Sequence, residues 1–168
     1  MSHIEHQQQA PRSVGCAIIT VSDTRTPQTD QSGQAIRDLL KQAGHTVTSS
    51  VIVKDEPSEI QQQVRATMRN LACQAVLVTG GTGIAPRDRT YEAVSSLLEK
   101  HLDGFGELFR MLSFQEIGPA AMMSRTIAGV FSGRIIFCMP GSPNAVQFAM
   151  TKLIIPQLGH LILELNKS

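Results

Sequence analysis

An α/β fold built on a mainly parallel sheet is predicted by three features of the chain. Short apolar runs without polar alternation, at residues 16–21 and 75–78, read as strands covered on both faces. Segments with apolar residues at helical spacing separate such runs, giving the rhythm strand, helix, strand, helix, strand, helix of right-handed crossovers. A glycine-rich turn at residues 79–83 then joins the third run to another helical segment.

The first strand, Cys16-Ala17-Ile18-Ile19-Thr20-Val21, leads to a helix over residues 32–43 with Ile36, Leu39, Leu40 and Ala43 on one side and Gly44 as its C-cap. A β-branched run at 47–53 is the second strand. Pro57 then opens a helix carrying Ile60, Val64, Met68 and Leu71 on one face. After the third strand, residues 91–100 read as helix. Beyond residue 100 the pattern changes. Residues 105–114 and 120–125 read as short helices split by Gly118-Pro119, which cannot continue a regular helix. The runs 126–131 and 134–138 flank Ser132-Gly133, the spacing of a tight hairpin, so the sheet is expected to be mixed, with one antiparallel strand. A last helical region at 144–165 is expected to break at Pro156.

With 168 residues, the chain is read as a single domain over residues 14–168 behind a polar, glutamine-rich tail at 1–13 that is expected to be disordered. A net charge of +1, with no basic block or interleaved aromatics, argues against nucleic acid as a partner. No apolar run approaches the roughly 20 residues of a membrane span, and no apolar signal region precedes the domain, so a cytoplasmic protein is expected. Cys16, Cys73 and Cys138 show neither zinc spacing nor a CxxC and read as buried hydrophobes in a reducing compartment. The five histidines show no paired spacing and are assigned no chemistry.

The stretch Thr79-Gly80-Gly81-Thr82-Gly83-Ile84-Ala85-Pro86-Arg87-Asp88-Arg89-Thr90 carries the functional signal. Glycines let the backbone approach a phosphate closely, and a helix N-terminus points N–H groups at it. All strands of a parallel sheet end at one edge, where ligands bind. Residues 22–24, 54–56, 80–90 and 140–144 leave that edge, so Asp55 and Asp88 converge there although far apart in sequence. Two carboxylates beside a glycine cradle suit Mg²⁺, which prefers carboxylate oxygens, water and substrate phosphates. Arg87 and Arg89, with Arg110 and Arg125, can neutralise charge on a transferring phosphoryl group. The plainer alternative has Asp88 paired with an arginine and Asp55 capping the helix that begins at Pro57.

Other phosphate and nucleophile motifs do not fit. No lysine follows these glycines as a P-loop requires, and Gly81-Thr82-Gly83-Ile84-Ala85 meets Pro86 where a dinucleotide fingerprint needs glycine. Ser142 lacks the GxSxG elbow and reads as part of a helix-opening turn.

Taken in order, TGGTG at 79–83, PRDRT at 86–90, GFGELFR at 104–110, SRTIAG at 124–129 and MPGSPNA at 139–145, together with the first strand and its exit at 19–23, strongly resemble the molybdenum cofactor biosynthesis protein B family. That family is close to the molybdopterin adenylyltransferases and to gephyrin-like G domains. The likeness spans residues 14–165. It implies a three-layer α/β/α sandwich of the molybdopterin-binding type that assembles as a homo-oligomer, a trimer or a hexamer. It also implies a reaction in which Mg²⁺ and ATP transfer AMP to the terminal phosphate of molybdopterin, releasing pyrophosphate. Carried over by position, Asp55 and Asp88 match the aspartates assigned to metal and catalysis. Gly80, Gly81, Thr82 and Gly83 match the phosphate cradle, with Thr90 at its helix start. The Ser124-Arg125 pair and the segment Pro140, Gly141, Ser142, Pro143 and Asn144 match parts of the nucleotide and pterin crevice. Lys54 stands where proline is common and Arg89 where valine is frequent. A non-catalytic molybdopterin-binding or scaffold protein, docking on other proteins of the pathway, is the alternative within the same resemblance.

Overall fold

The computed structural model describes residues 10–167. Most of the tail expected at 1–13 lies outside the described residues. Ala10 and Pro11 lie against the C-terminal helix, where a Cβ on Gly159 would meet the Pro11 carbonyl oxygen at 2.6 Å.

Among the described residues, six strands form one sheet in the order β2-β1-β3-β6-β5-β4. β1 (Gly15–Val21) pairs in parallel with β2 (Thr46–Val53) and β3 (Ala75–Thr79), and β3 pairs in parallel with β6 (Arg134–Met139). β5 (Ile127–Phe131) is antiparallel to both β6 and β4 (Lys100–His101), so β5 alone runs against the others. This is the mixed sheet expected from the hairpin spacing. Ser132 and Gly133 turn the chain with φ of 50° and 70°, the pair of positive values a two-residue hairpin requires.

Alternation along β1 divides the core. Cys16 and Ile18 pack with Ile36 and Leu40 of α1 (Gln31–Gln42) and with Val146, Ala149, Ile154 and Leu158 near the C-terminus. Ala17, Ile19 and Val21 pack with Ile60 and Val64 of α2 (Pro57–Thr67) and with Ala93 and Val94 of α3 (Thr90–Ser95). Successive strand residues face opposite sides, so a sheet with both faces covered is a three-layer α/β/α sandwich. The three cysteines are buried and free, and burial pushes the Cys16 thiol up to about 12.

Four local expectations are corrected. Leu71 does not share the α2 face, because α2 ends at Thr67 and Leu71 is 89% exposed. There the Asn70 side chain accepts from the Ala72 N–H, a local bond that competes with helix. The helix expected at 91–100 stops at Ser95, and Lys100–His101 joins the sheet as β4. Gly129 permits that pairing, since a Cβ there would lie 2.2 Å from the Lys100 carbonyl oxygen. The helices expected at 105–114 and 120–125 do part at Gly118, but the first is longer, α4 (Asp103–Ile117), and the second is a 3-10 turn, Gly118–Met123. Finally, α5 (Pro143–Ala149) and α6 (Ile155–Leu165) are joined by a π-helical turn, Met150–Ile154. The break therefore precedes Pro156, which sits in the first turn of α6 where its missing N–H is least disruptive.

Joined in this way, Pro143–Leu165 is a 23-residue helical run of mean hydropathy 1.3, long and apolar enough for a span by length and composition. Val146, Ala149, Met150, Ile154, Leu158 and Ile162 along it are core residues packed over the sheet.

Candidate functional site

The C-terminal ends of β1, β2, β3 and β6 bring their exit loops together. Gly80 follows β3 with φ of +100°, and its Cα lies so near β1 that a Cβ would fall 2.3 Å from the Val21 carbonyl oxygen. Gly81, at φ +65°, is hemmed in on its other side: a Cβ there would meet Thr90 Oγ1 at 2.2 Å and Asp55 Oδ2 at 2.6 Å. A Cβ on Gly83 would meet Asp88 Oδ2 at 2.6 Å. These glycines are thus the floor on which both carboxylates rest.

Asp55 does not cap α2, which has no side-chain cap. Its Oδ1 accepts instead from the Arg89 N–H at 3.2 Å, tying the β2 exit to the glycine loop. Asp88 forms no ion pair among the described residues; its Oδ2 accepts from the Ala85 N–H at 2.9 Å. Asp55 Oδ2 and Asp88 Oδ1 receive no hydrogen bond from the described residues. Burial raises the Asp55 carboxyl above the ordinary aspartate range, and the Asp88 and Asp23 carboxylates push the same way. Thr90 Oγ1 is buried beside Asp55 and Gly81 without a hydrogen-bond partner among the described residues. Two carboxylate oxygens and a hydroxyl are hard oxygen donors of the kind Mg²⁺ takes. Among the described residues no group of three or more His, Cys, Asp or Glu is placed to hold a metal, so such an ion would complete its shell with water and substrate oxygens.

The remaining predicted residues form two recesses. Gly141 lies against Gly80 and, with Gly80, Gly81, Thr20 and Ser32, lines a crevice of about 200 Å³ between β1 and β3. Ser32 donates to the Gly141 carbonyl at 2.7 Å, and Thr79 to the Pro140 carbonyl at 2.8 Å, which holds the two turns side by side. Ser124, Pro140, Ser142 and Asn144 line a separate cleft of about 340 Å³ walled by Phe109 and Phe148. Ser124 Oγ is buried there without a hydrogen-bond partner among the described residues. Ser142 Oγ accepts from the Ala145 N–H at 3.2 Å as the cap of α5, the helix-opening role expected of it. Thr82 joins this side to the glycine loop, its carbonyl accepting from the Arg125 N–H at 3.3 Å.

Sequence reasoning missed Asp23 as a site residue. Its Oδ1 accepts from the Asp55 N–H at 3.2 Å and its Oδ2 from Arg87 Nη2 at 2.6 Å. The Asp55 N–H bond, with help from Arg87, holds the Asp23 carboxyl below its ordinary range. The available signal was its place directly after β1, on the same edge. Of the arginines proposed to meet phosphate, Arg87 reaches Asp23 and Glu56. Arg110 donates to the Ser124 and Thr126 carbonyls at 3.3 and 3.4 Å.

The family described as a probable molybdopterin binding domain matches residues 17–160. Molybdenum cofactor biosynthesis protein B of Bacillus anthracis is 55% identical over 168 residues, covering 99% of each chain. The chain belongs to the molybdenum cofactor biosynthesis protein B family. A crystal structure of a protein of that name agrees with a TM-score of 0.92 at 55% identity, over 95% of this chain and 100% of the other. The tungsten cofactor synthesizing protein MoaB from Pyrococcus furiosus agrees with a TM-score of 0.84 at 32% identity, over 94% and 100%. Membership in the protein B family places the chain in molybdenum cofactor biosynthesis with a domain of the molybdopterin-binding type.

Proposed function

We propose that the chain binds molybdopterin and adenylylates it with Mg-ATP. The observation that carries this reading is the pair of carboxylate oxygens, Asp55 Oδ2 and Asp88 Oδ1, that no described residue hydrogen-bonds above a glycine turn. A pure pterin binder needs the cradle but not these carboxylates. When bound, Mg²⁺ would neutralise charge on the phosphates and withdraw electrons from the reacting phosphorus.

The residues of the chain would do the rest. Asp55 and Asp88 hold the cation, and Gly80 to Gly83 let backbone and phosphate approach without a Cβ between them. Thr90 offers its unpartnered hydroxyl to a phosphate oxygen, and Ser124 offers its own to the ligand of the 340 Å³ cleft. An oxygen of the molybdopterin terminal phosphate forms a bond to the α-phosphorus of ATP, and the bond from that phosphorus to pyrophosphate breaks. The attacking phosphate is already ionised at neutral pH, so positioning and charge neutralisation suffice and no side-chain base is required.

Pyrophosphate released from ATP, Mg²⁺ and molybdopterin tests this. Asp88→Asn keeps an oxygen for the Ala85 N–H, so it should fold normally while turnover falls about 10²–10³-fold. Full activity in that variant removes Asp88 from the mechanism, and wild-type protein that binds molybdopterin without releasing pyrophosphate is a binder instead.

A homo-oligomer, trimer or hexamer, belongs to the same proposal. Leu108, Met111, Phe114 and Ile117 of α4 stand 47–61% exposed at three-residue spacing, continued by Met122 at 79%. So large an apolar stripe is characteristic of an interface. Light scattering should find an assembly in the wild type and a monomer in Phe114→Lys; an unchanged mass would put the contact elsewhere.

A further inference from the structure

We infer that Arg125 is a positioning residue that sets the glycine loop and Asp88, rather than a ligand of phosphate. The inference rests on the adenylyl-transfer reading for its kinetic consequence and on the protein alone for its structural one. Because β5 runs against the rest of the sheet, the residues just before it reach the functional edge from the opposite direction to every other loop. Arg125 arrives there and uses nearly its whole guanidinium within the protein. Nε donates to the Gly83 carbonyl at 2.8 Å, and Nη2 to the Asp88 carbonyl at 2.9 Å. Nη1 meets Glu92 Oε1, and Nη2 also reaches Glu92 Oε2 at 3.4 Å. The guanidinium carbon lies 5.3 Å from the centre of the Tyr91 ring, and the Arg125 backbone N–H holds the Thr82 carbonyl.

One side chain therefore grips both ends of the loop from Gly83 to Asp88 and anchors it to α3 through Glu92. The donors of Arg125 point at carbonyls and at a carboxylate, which leaves little for an anion. The planar fork matters: a lysine carries the same charge but cannot span Gly83, Asp88 and Glu92 together. Loosening this grip moves Asp88 relative to Asp55, whose own tether runs to the Arg89 N–H. A misplacement of about 1 Å in catalytic geometry reduces rate by about 10²-fold.

The test compares full-length wild type with Arg125→Lys, Arg125→Gln and Glu92→Gln. Pyrophosphate release gives kcat and KM, and amide hydrogen exchange reads residues 82–92. Both Arg125 variants should lose about 10²-fold in kcat, with KM for ATP changed less than about threefold. Exchange should accelerate about tenfold within 82–92 and stay unchanged in β1 and β3. Lysine should not rescue, and Glu92→Gln should move both readouts the same way by a smaller factor. Glu92 is half exposed, so that variant keeps the fold even where loss of Arg125 does not. A raised KM for ATP with wild-type loop protection, or wild-type behaviour of Arg125→Lys, overturns the inference. Should wild type release no pyrophosphate, the adenylyl-transfer reading fails, and the exchange data still decide whether Arg125 holds the loop.

Discussion

Gly80→Ala should lower the melting temperature by roughly 8–16 °C and abolish ligand binding at the glycine turn. Two separate penalties combine. A non-glycine residue at φ +100° costs about 1–3 kcal/mol. A methyl group 2.3 Å from the Val21 carbonyl oxygen meets backbone that cannot swing aside, adding about 1–3 kcal/mol. Taking the middle of those ranges, about 4 kcal/mol converts at roughly 2–4 °C per kcal/mol for a domain of this size. Relief of the clash pushes the turn away from β1 and carries Gly81 with it, off the support of Asp55 and Thr90. Gly44→Ala is the control, because Gly44 has φ +83° with nothing within 4 Å of an added Cβ. It should carry the backbone penalty alone, about 1–3 kcal/mol, and leave binding intact. Differential scanning calorimetry with ligand titration measures both; equal losses in the two variants would mean that the contact with Val21 contributes nothing.

Asp55→Asn should cut turnover about 10²–10³-fold and at the same time raise the melting temperature at neutral pH. Burial lifts the Asp55 carboxyl above its ordinary value of 3.8, helped by Asp88 and Asp23. The folded state therefore binds that proton more tightly than the unfolded chain does. Ionising Asp55 costs stability as pH rises from the ordinary value through the raised one, and at neutral pH the full cost is present. Asparagine removes it and can still accept the Arg89 N–H. The gain should vanish below the ordinary aspartate range, where both states are protonated. For the cation the sign is opposite, since only the carboxylate binds it. The acid limb of Mg²⁺ binding should thus lie above the ordinary aspartate range, and Asp88→Asn should move it lower. Thermal scans across pH, paired with Mg²⁺ titrations, examine this; a destabilised Asp55→Asn would show that its charge is compensated in the fold.

Much of this site was legible because topology does most of the work. Once 16–21, 47–53 and 75–78 are read as parallel strands, Asp55 and Asp88 must leave the same edge, and the structure has them bonded to one loop. The glycines were legible as a close-approach turn, although what approaches closely includes the protein's own Val21 and Thr90. Illegible features depend on partners chosen late. β4 is two residues whose pairing relies on Gly129, about thirty positions on, and no periodicity exists over so short a strand. The ends of α2 and α3 were overrun because Leu71 and residues 96–100 continue an apolar spacing that local turn bonds override. Arg125 reads in sequence as a cation for a transferring phosphoryl group, since only the reversed direction of β5 aims it at the loop carbonyls. Likewise, nothing in the letters separates the cleft holding Ser124 and Asn144 from the crevice holding Gly141.

The reversed strand also orders events in time as the chain folds. The bond from Arg125 to Gly83 spans 42 positions, whereas the hairpin of β5 and β6 closes over two residues. Loop-closure entropy favours the short closure first. Strands β1 to β3 and the late hairpin can each take shape while residues 83–88 are still slack, and the slackness ends only when the hairpin docks on β3. Competence is then the last property the polypeptide acquires, so a nascent or truncated chain lacking β5 would own both aspartates without the Arg125 bonds that fix the Gly83 and Asp88 carbonyls.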